Sequence, residues 1–256
     1  LNGNQTALMF VYYLITRWKE LGKINGKEYI VKTIVTTETI KTIAERNGVE
    51  MYDVYTGFKW IANVMRENEG KKNYIGGGEE SYGFLCEDFV RDKDAVSACV
   101  ILAEIAAWAK DQGLSLYQLL QKIYVEYGFS KEKGISVVKK GKSGAEEIEA
   151  MMKKFRENPL TEIAGSKVTY FYDYSTLKGK DYAENETVTL DMPTTSNVLQ
   201  YFTEDNTKVS IRPSGTEPKI KFYCEVHSKV KSIDELPEAE KAAEEKINQI
   251  KASLGI

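Results

Sequence analysis

The segment SIRPSGTEPKIKF, residues 210–222, gathers Arg212, Lys219 and Lys221 with the hydroxyls of Ser214 and Thr216 around Gly215. Arginine forks match phosphate oxygens, hydroxyls donate to them, and glycine lets backbone N–H groups turn towards an anion. The flanks alternate. Val209 and Ile211, then Ile220, Phe222, Cys224 and Val226, are predicted to face a core, which puts Lys208, Ser210, Arg212, Lys219 and Lys221 on the other face. The chemistry on offer is capture of an anion such as phosphate. A solvated hairpin with scattered cations is the alternative that these residues leave open.

A second constellation is GGGEESYG, residues 76–83. Its glycines allow close backbone approach. On an extended chain Glu79 and Ser81 would point one way and Glu80 the other. A carboxylate and a hydroxyl on one side suit hydrogen bonding to vicinal sugar hydroxyls. A glycosidase pair does not fit, because adjacent Glu79 and Glu80 cannot flank one bond, and no GxxxxGK[ST] loop occurs. FVRDKDAVS places Arg91 and Lys93 at the start of an apolar helical stretch. Cations are unfavourable there unless they pair with Asp92 and Asp94 or hold an anion, and both readings stay open. Lys59, just after the turn at Thr56 and Gly57, raises the same question. The single histidine, His227, is read as a surface residue. The tyrosines of YFYDY, residues 170–174, are read as sheet residues rather than a stacking platform.

These residues need elements to hold them. Asn2 or Asn4 caps a helix running to about Leu21. YIVKTIV reads as a strand, TIKTIAERNG as a helix stopped by Gly48, and VEMYDVY as a short strand. A turn then leads into the helix FKWIANVMRE, and NYIGGG reads as a strand. The stretch 90–113 is apolar on nearly all sides and is predicted to be buried. SLYQLLQKIYVEYG is a helix capped by Ser115 and ended by Gly128. Alternating strands and helices imply an α/β layered sheet, with ligands gathering at the carboxyl ends of strands, where residues 36–37, 56–59 and 76–83 fall. Beyond Gly128 a polar, glycine-containing stretch marks a boundary and divides the chain into 1–128 and 129–256. ISVV is a short strand, and Ser143 with Glu146 forms a capping box before a helix carrying Ile148, Met151, Met152 and Phe155 on one face. Further short strands follow, and a last helix has Ala239, Ala243, Ile247, Ile250 and Leu254 on one face. This half reads as α+β, an antiparallel sheet with helices on one side.

At 256 residues, 42% apolar and 29% charged, the chain suits one large or two ordinary globular domains. A formal net charge of -3 argues against a general nucleic-acid binder, so any anion site must be a local cluster. Cys86, Cys99 and Cys224 have neither metal nor disulfide spacing and are read as buried thiols in a reducing cytoplasm. No signal peptide is visible and no apolar run reaches membrane-spanning length, so no membrane partner is expected. The chain opens on Leu1 and a capped helix, and is expected to be a piece of something longer.

Together, GGGEESYG, TGFKWI, RDKDAV and RPSGTEPKIKFY resemble the α-D-phosphohexomutases, the phosphoglucomutase and phosphomannomutase family, and look closest to its phosphoglucomutase/phosphopentomutase-like bacterial members. The motifs follow the family's order across almost the whole chain. The resemblance implies four domains, of which this chain holds the third, an α/β three-layer domain over 1–128, and the fourth, an α+β TATA-binding-protein-like domain over 129–256. It implies interconversion of hexose 1-phosphate and 6-phosphate through a phosphoserine and a bisphosphorylated intermediate. It assigns Glu79 and Ser81 to the sugar hydroxyls, with Thr56 and Gly57 beside them, and gives Lys59 a supporting catalytic role. Arg91 and Lys93 become basic active-site residues, and Arg212, Ser214, Gly215, Thr216 and Lys221 grip the phosphate that is not reacting. The family's T-A-S-H-N-P-like serine loop and D-x-D-x-D-R magnesium loop are absent from this sequence. The phosphoryl donor and the Mg2+ ligands are therefore expected in missing N-terminal domains, hexose 1,6-bisphosphate is expected as activator, and the chain alone is expected to be inactive. A non-catalytic phosphosugar-binding or regulatory module is the alternative. The GEES form leans towards glucose phosphate.

Overall fold

Helix α1 (Gly3–Glu20) opens on a reciprocal cap. Asn2 Oδ1 accepts from the Gln5 N–H and Gln5 Oε1 accepts from the Asn2 N–H, both at 2.9 Å. Asn4 serves a different end: its Oδ1 accepts from the Thr37 N–H at 3.0 Å and pins the 36–37 loop. The computed structural model describes residues 1–139, 141–215 and 217–256, the side chain of Lys142 excepted. It divides the chain into two compact units, Leu1–Phe129 with Lys229–Leu236, and Ser130–Ser228 with Pro237–Ile256.

The first unit continues with β1 (Glu28–Thr33), α2 (Thr39–Arg46), β2 (Glu50–Val54), α3 (Phe58–Glu67), β3 (Asn73–Gly78), β4 (Phe84–Cys86), α4 (Ala95–Asp111) and α5 (Leu116–Tyr127). The sheet order is β2-β1-β3-β4, with β1 parallel to both neighbours and β4 antiparallel to β3. β1 is buried along its whole length, as a central parallel strand should be. On one face α3 packs Phe58, Ile61 and Met65 against Tyr29, Val31, Tyr74 and Leu85. On the other, α1 sets Phe10 against Phe84, ring centroids 4.5 Å apart. The result is the expected three-layer α/β domain, with the carboxyl ends of β1, β2 and β3 on one edge.

Two expectations fail here. α4 is apolar nearly all round, but only Ile105 and Ala109 are buried. Val96 and Val100 are 74% and 60% exposed. The helix meets α1, β4 and α5, and among the described residues its far face is exposed. Cys99 lies on that far face and is exposed, while Cys86 and Cys224 are buried as predicted.

The second unit comprises most of β5 (Phe129–Val138), then α6 (Gly141–Glu157), β6 (Glu162–Ile163), β7 (Ser166–Asp173), β8 (Lys178–Asp181), β9 (Glu186–Thr189), β10 (Leu199–Thr203), β11 (Lys208–Pro213), β12 (Lys219–Ser228) and α7 (Leu236–Leu254). The sheet order is β5-β12-β11-β10-β7-β8-β9, with β6 on β7. The pairings from β12 through β9 are antiparallel. The polar stretch after Gly128 is thus an edge strand, whose polarity reflects exposure rather than a linker. α6 begins at Gly141, where φ is +75°, so Ser143 sits in its first turn and is not the cap. Ile148, Met152 and Phe155 of α6 are buried, and the Phe155 ring lies 6.2 Å from that of Phe222. Ala243, Ile247, Ile250 and Leu254 are the buried side of α7. Among the described residues no helix is long and apolar enough to cross a membrane.

Candidate functional site

In the first unit the site grows from the carboxyl edge of the sheet. β2 ends at Val54, and the chain turns through Thr56 and Gly57 into α3. Gly57 has φ 110° and ψ 122°, a conformation that side chains resist. Its N–H donates to Glu79 Oε1 at 2.7 Å. Glu79 leaves β3 into a turn closed by its own N–H on the Gly83 carbonyl at 2.8 Å. A Cβ placed on Gly83 would lie 3.0 Å from Glu79 Oε2 and 3.2 Å from Lys93 Cδ. Gly57, Glu79, Gly83 and Lys93 therefore meet, and only glycine at 83 lets the carboxylate and the lysine stem lie so close to the backbone. Lys93 Nζ also stands 5.8 Å from the centre of the Phe58 ring. Residues 79–82 form a turn and not the extended chain assumed from the sequence, so period-two alternation does not govern Glu79 and Ser81. Ser81 is exposed at the turn, and Glu80 reaches back to accept from Thr33 Oγ1 at 3.5 Å.

The two cations before α4 part company. Arg91 pairs with Glu69 at 3.3 Å and donates to the Asp88 carbonyl at 2.9 Å. It lines a groove of about 600 Å³ with Lys59, Arg66, Glu69 and Asp92. Lys59 Nζ lies 4.9 Å from the Trp60 ring centre. Lys93 pairs with Asp92. Neither cation is inside the helix. Asp94 is the N-cap, accepting from Ser97 N at 2.8 Å and Val96 N at 3.3 Å, and the Ser97 bonds hold its carboxyl below the usual range.

In the second unit the site is the β11–β12 hairpin. Arg212 stands directly opposite Lys221 in the register. Both are half-buried, and neither has an ion-pair partner among the described residues. Like charges facing across a ladder are destabilising, and the carboxylate of Glu217 in the same hairpin acts on Lys221 as well as on Lys219. Lys219 behaves otherwise, being paired with Glu217. The Ser214 N–H donates to the Lys219 carbonyl at 2.8 Å and closes the turn. Gly215 is exposed, and an added Cβ would meet nothing within 4 Å. Thr216 lies outside the described residues.

The open face predicted for Lys208 and Ser210 is not open. Lys208 and Ser210 are 2% and 0% exposed. Lys208 Nζ pairs with Glu225 Oε2 at 2.9 Å, and His227 Nε2 lies 2.8 Å from Glu225 Oε1. His227 is thus part of a buried polar layer, not a free surface group. Burial opposes ionisation of both partners, but Lys208 and His227 hold the Glu225 carboxyl well below its ordinary range, and Glu225 raises His227. Beside them Tyr174 donates to Gln200 Oε1 at 2.6 Å, and Gln200 Nε2 donates to Ser210 Oγ at 2.7 Å.

One polar centre escaped the sequence reading. Lys32, 1% exposed, donates to Asp53 Oδ1 at 2.7 Å, Glu38 Oε1 at 2.9 Å and the Thr36 carbonyl at 3.4 Å. It ties the carboxyl ends of β1 and β2 to the 36–38 loop. A lysine in an otherwise β-branched central strand was the available signal.

The family profile described as phosphoglucomutase/phosphomannomutase, alpha/beta/alpha domain III, matches residues 2–127. That described as phosphoglucomutase/phosphomannomutase, C-terminal domain, matches residues 136–243. The chain belongs to the phosphoglucomutase/phosphomannomutase family and carries its domain III and its C-terminal domain. Phosphoglucomutase of Staphylococcus aureus (strain MSSA476) is 37% identical over 235 residues, 92% of this chain and 41% of that protein. Phosphoglucomutase of Staphylococcus haemolyticus (strain JCSC1435) is 34% identical over 225 residues, 88% and 40% of the two chains. The chain thus spans about 40% of the length of the curated relatives it matches. The open form of the Paramecium phosphoglucomutase pp63/parafusin shares the fold, with a TM-score of 0.57 at 17% identity over 97% of this chain and 42% of that one.

Proposed function

We propose that this chain is the sugar- and phosphate-recognition part of a phosphohexomutase that interconverts hexose 1-phosphate and 6-phosphate through a bisphosphorylated intermediate. Such chemistry asks for in-line geometry and charge neutralisation more than for covalent novelty. Arg212 and Lys221, two cations facing each other in the register of the hairpin, carry the reading: they hold the phosphate that is not reacting and are indifferent to which end of the sugar bears it. Ser214, Gly215 and Thr216 add donors from the turn. Glu79 keeps one oxygen on the Gly57 N–H and turns the other to sugar hydroxyls, with Ser81 and Thr56 beside it. A carboxylate left without its hydroxyl partner is costly, so epimers are discriminated there. Lys93, against Glu79, and Lys59, at the start of α3, stabilise charge at the reacting end, and Arg91 extends the basic rim.

The phosphoryl donor is a serine in the preceding domains. Among the described residues no group of three or more His, Cys, Asp or Glu side chains could hold a metal ion. The Mg2+ ligands are assigned to the preceding domains. No step is routed through it here.

The test is a full-length enzyme assayed with hexose 1,6-bisphosphate over a panel of hexose and pentose phosphates, glucose phosphate being the expected preference. Arg212→Ala should raise KM roughly tenfold to a hundredfold, the worth of one charged hydrogen bond of about 1.5–3 kcal/mol. An unchanged KM removes the assignment. Phosphosugar binding with no turnover in any full-length form makes the chain part of a binding module instead.

A further inference from the structure

We propose that Tyr174 and Gln200 are positioning residues for the anion grip at Arg212 and Lys221, and that they act through Ser210 by fixing the strand that carries Arg212. Gln200 stands in the interior of β10, which lies between β7 and β11, and is 2% exposed. A buried primary amide costs free energy unless its hydrogen bonds are made, and an apolar side chain of similar shape can occupy such a position at little or no cost. Here the amide is bonded on both sides. The Tyr174 hydroxyl donates to Gln200 Oε1 at 2.6 Å, and Gln200 Nε2 donates to Ser210 Oγ at 2.7 Å. Tyr174, just past the end of β7, and Ser210 are buried as well. The bonds run from the end of β7, over β10, to β11.

The register brings these bonds to Arg212. Leu199 is opposite Asp173 on one side and Ile211 on the other. One residue back, the same register lines up Tyr174, Val198 and Arg212, and Lys221 stands opposite Arg212. The Tyr174 N–H donates to the Val198 carbonyl at 3.1 Å, which anchors the start of that row. The next row on the same face is Tyr172, Gln200, Ser210 and Tyr223. Tyr174 therefore starts in the row of the two cations and reaches Gln200 in the neighbouring one. Ser210 and Arg212 share a face of β11, about 7 Å apart along the strand. Two cations in one row destabilise the ladder there, and the bonds to Ser210 brace β11 one row away. A leucine at position 200 would fill the space and tolerate small shifts. A buried, bonded polar chain specifies one arrangement, and a misplacement of about 1 Å is enough to spoil a positioning contact. The inference rests on the reading of Arg212 and Lys221 as the phosphate grip.

Gln200→Leu in the full-length enzyme should raise KM for glucose 1-phosphate roughly threefold to tenfold, within the range of a pairwise coupling. Its kcat should stay the same, because a grip on the non-reacting phosphate is made equally in the ground and transition states. Tyr174→Phe removes a single oxygen and should move KM in the same direction, which keeps the test open if the leucine variant folds poorly. In an Arg212→Ala background, Gln200→Leu should add nothing to KM, since it acts through that arginine. Equal KM in the wild type and both variants overturns the inference. So does a full further rise in the Arg212→Ala background, which marks general loosening of the domain. A readout without turnover is the rise in Tm of the 256-residue chain on adding inorganic phosphate, expected for the wild type and reduced in both variants. A lowered Tm with an undiminished phosphate-dependent rise marks a purely structural role and also overturns it. An effect of Arg212→Ala with none from Gln200→Leu or Tyr174→Phe sinks the positioning role and leaves the mutase reading intact. An inactive full-length protein whose phosphate-dependent rise is reduced in both variants does the reverse. No phosphate effect in the wild type removes the grip and the positioning role together.

Discussion

Gly57 and Glu79 act as one unit. The backbone at φ 110° aims an N–H that holds the carboxylate at 2.7 Å. Gly57→Ala should cost about 1–3 kcal/mol of stability for that backbone and should raise KM as Glu79 loses its anchor. A denaturant melt and a steady-state assay check the two effects separately. The sequence showed that this glycine sits at a turn, and it showed a carboxylate in a glycine-rich loop. It could not show that they touch across 22 positions, because that contact is made by the sheet. The Lys208–Glu225–His227 cluster was likewise hidden. Lys208→Met strips a buried carboxylate of its cation and should destabilise by about 3–5 kcal/mol, read from urea unfolding. The pH signs differ for the two titrating partners. The depressed Glu225 contributes stability above its unfolded pKa, about 4.3, and that contribution is lost as pH falls through the folded value. The raised His227 contributes below about 6.5 and loses its contribution as pH rises through its folded value. His227→Gln should therefore flatten the alkaline side of the stability profile and leave the acid side in place.

At the scale of elements, the β11–β12 hairpin sets two cations, Arg212 and Lys221, opposite each other in register. Lys221→Glu would give Arg212 an opposite charge in register and should stabilise the second unit by about 0.2–1 kcal/mol, while abolishing phosphate-dependent protection against heat. A higher Tm without phosphate, with no further rise when phosphate is added, is the expected pair of results. Alternation correctly put Val209, Ile211, Ile220 and Phe222 in the core. It misjudged Lys208 and Ser210, because a period of two tells which side a residue faces and not whether that side is covered. α4 erred in the opposite direction. An all-round apolar helix must find partners, but periodicity cannot say that they belong to the same stretch of chain. The strand read at ISVV is the end of β5, and the polar first part of β5 was not recognised as strand because an exposed edge strand and a polar connection have similar composition.

At the scale of the molecule, the order of four motifs was enough to indicate the family, and the two profile matches bear that out. The three-layer and α+β halves were legible because helix and strand periods separate cleanly along the chain. The 256-residue chain should show no mutase turnover by itself, even with bisphosphate present, and measurable turnover would show that the chemistry needs nothing beyond it.

The segment Lys229–Leu236 groups with residues 1–129, whereas β12 before it and the body of α7 after it belong to the second unit. The polypeptide consequently passes from one unit to the other three times. No single scission can release either unit whole. Residues 1–129 alone lack an octapeptide of their own body, and residues 130–256 alone trail one that is foreign to theirs. Grafting the C-terminal domain onto another enzyme would require three splice points, one after Phe129 and two more within the last 30 or so residues, rather than the single one near Gly128. Evolution by simple domain exchange is correspondingly hampered, and the two units are expected to be inherited together.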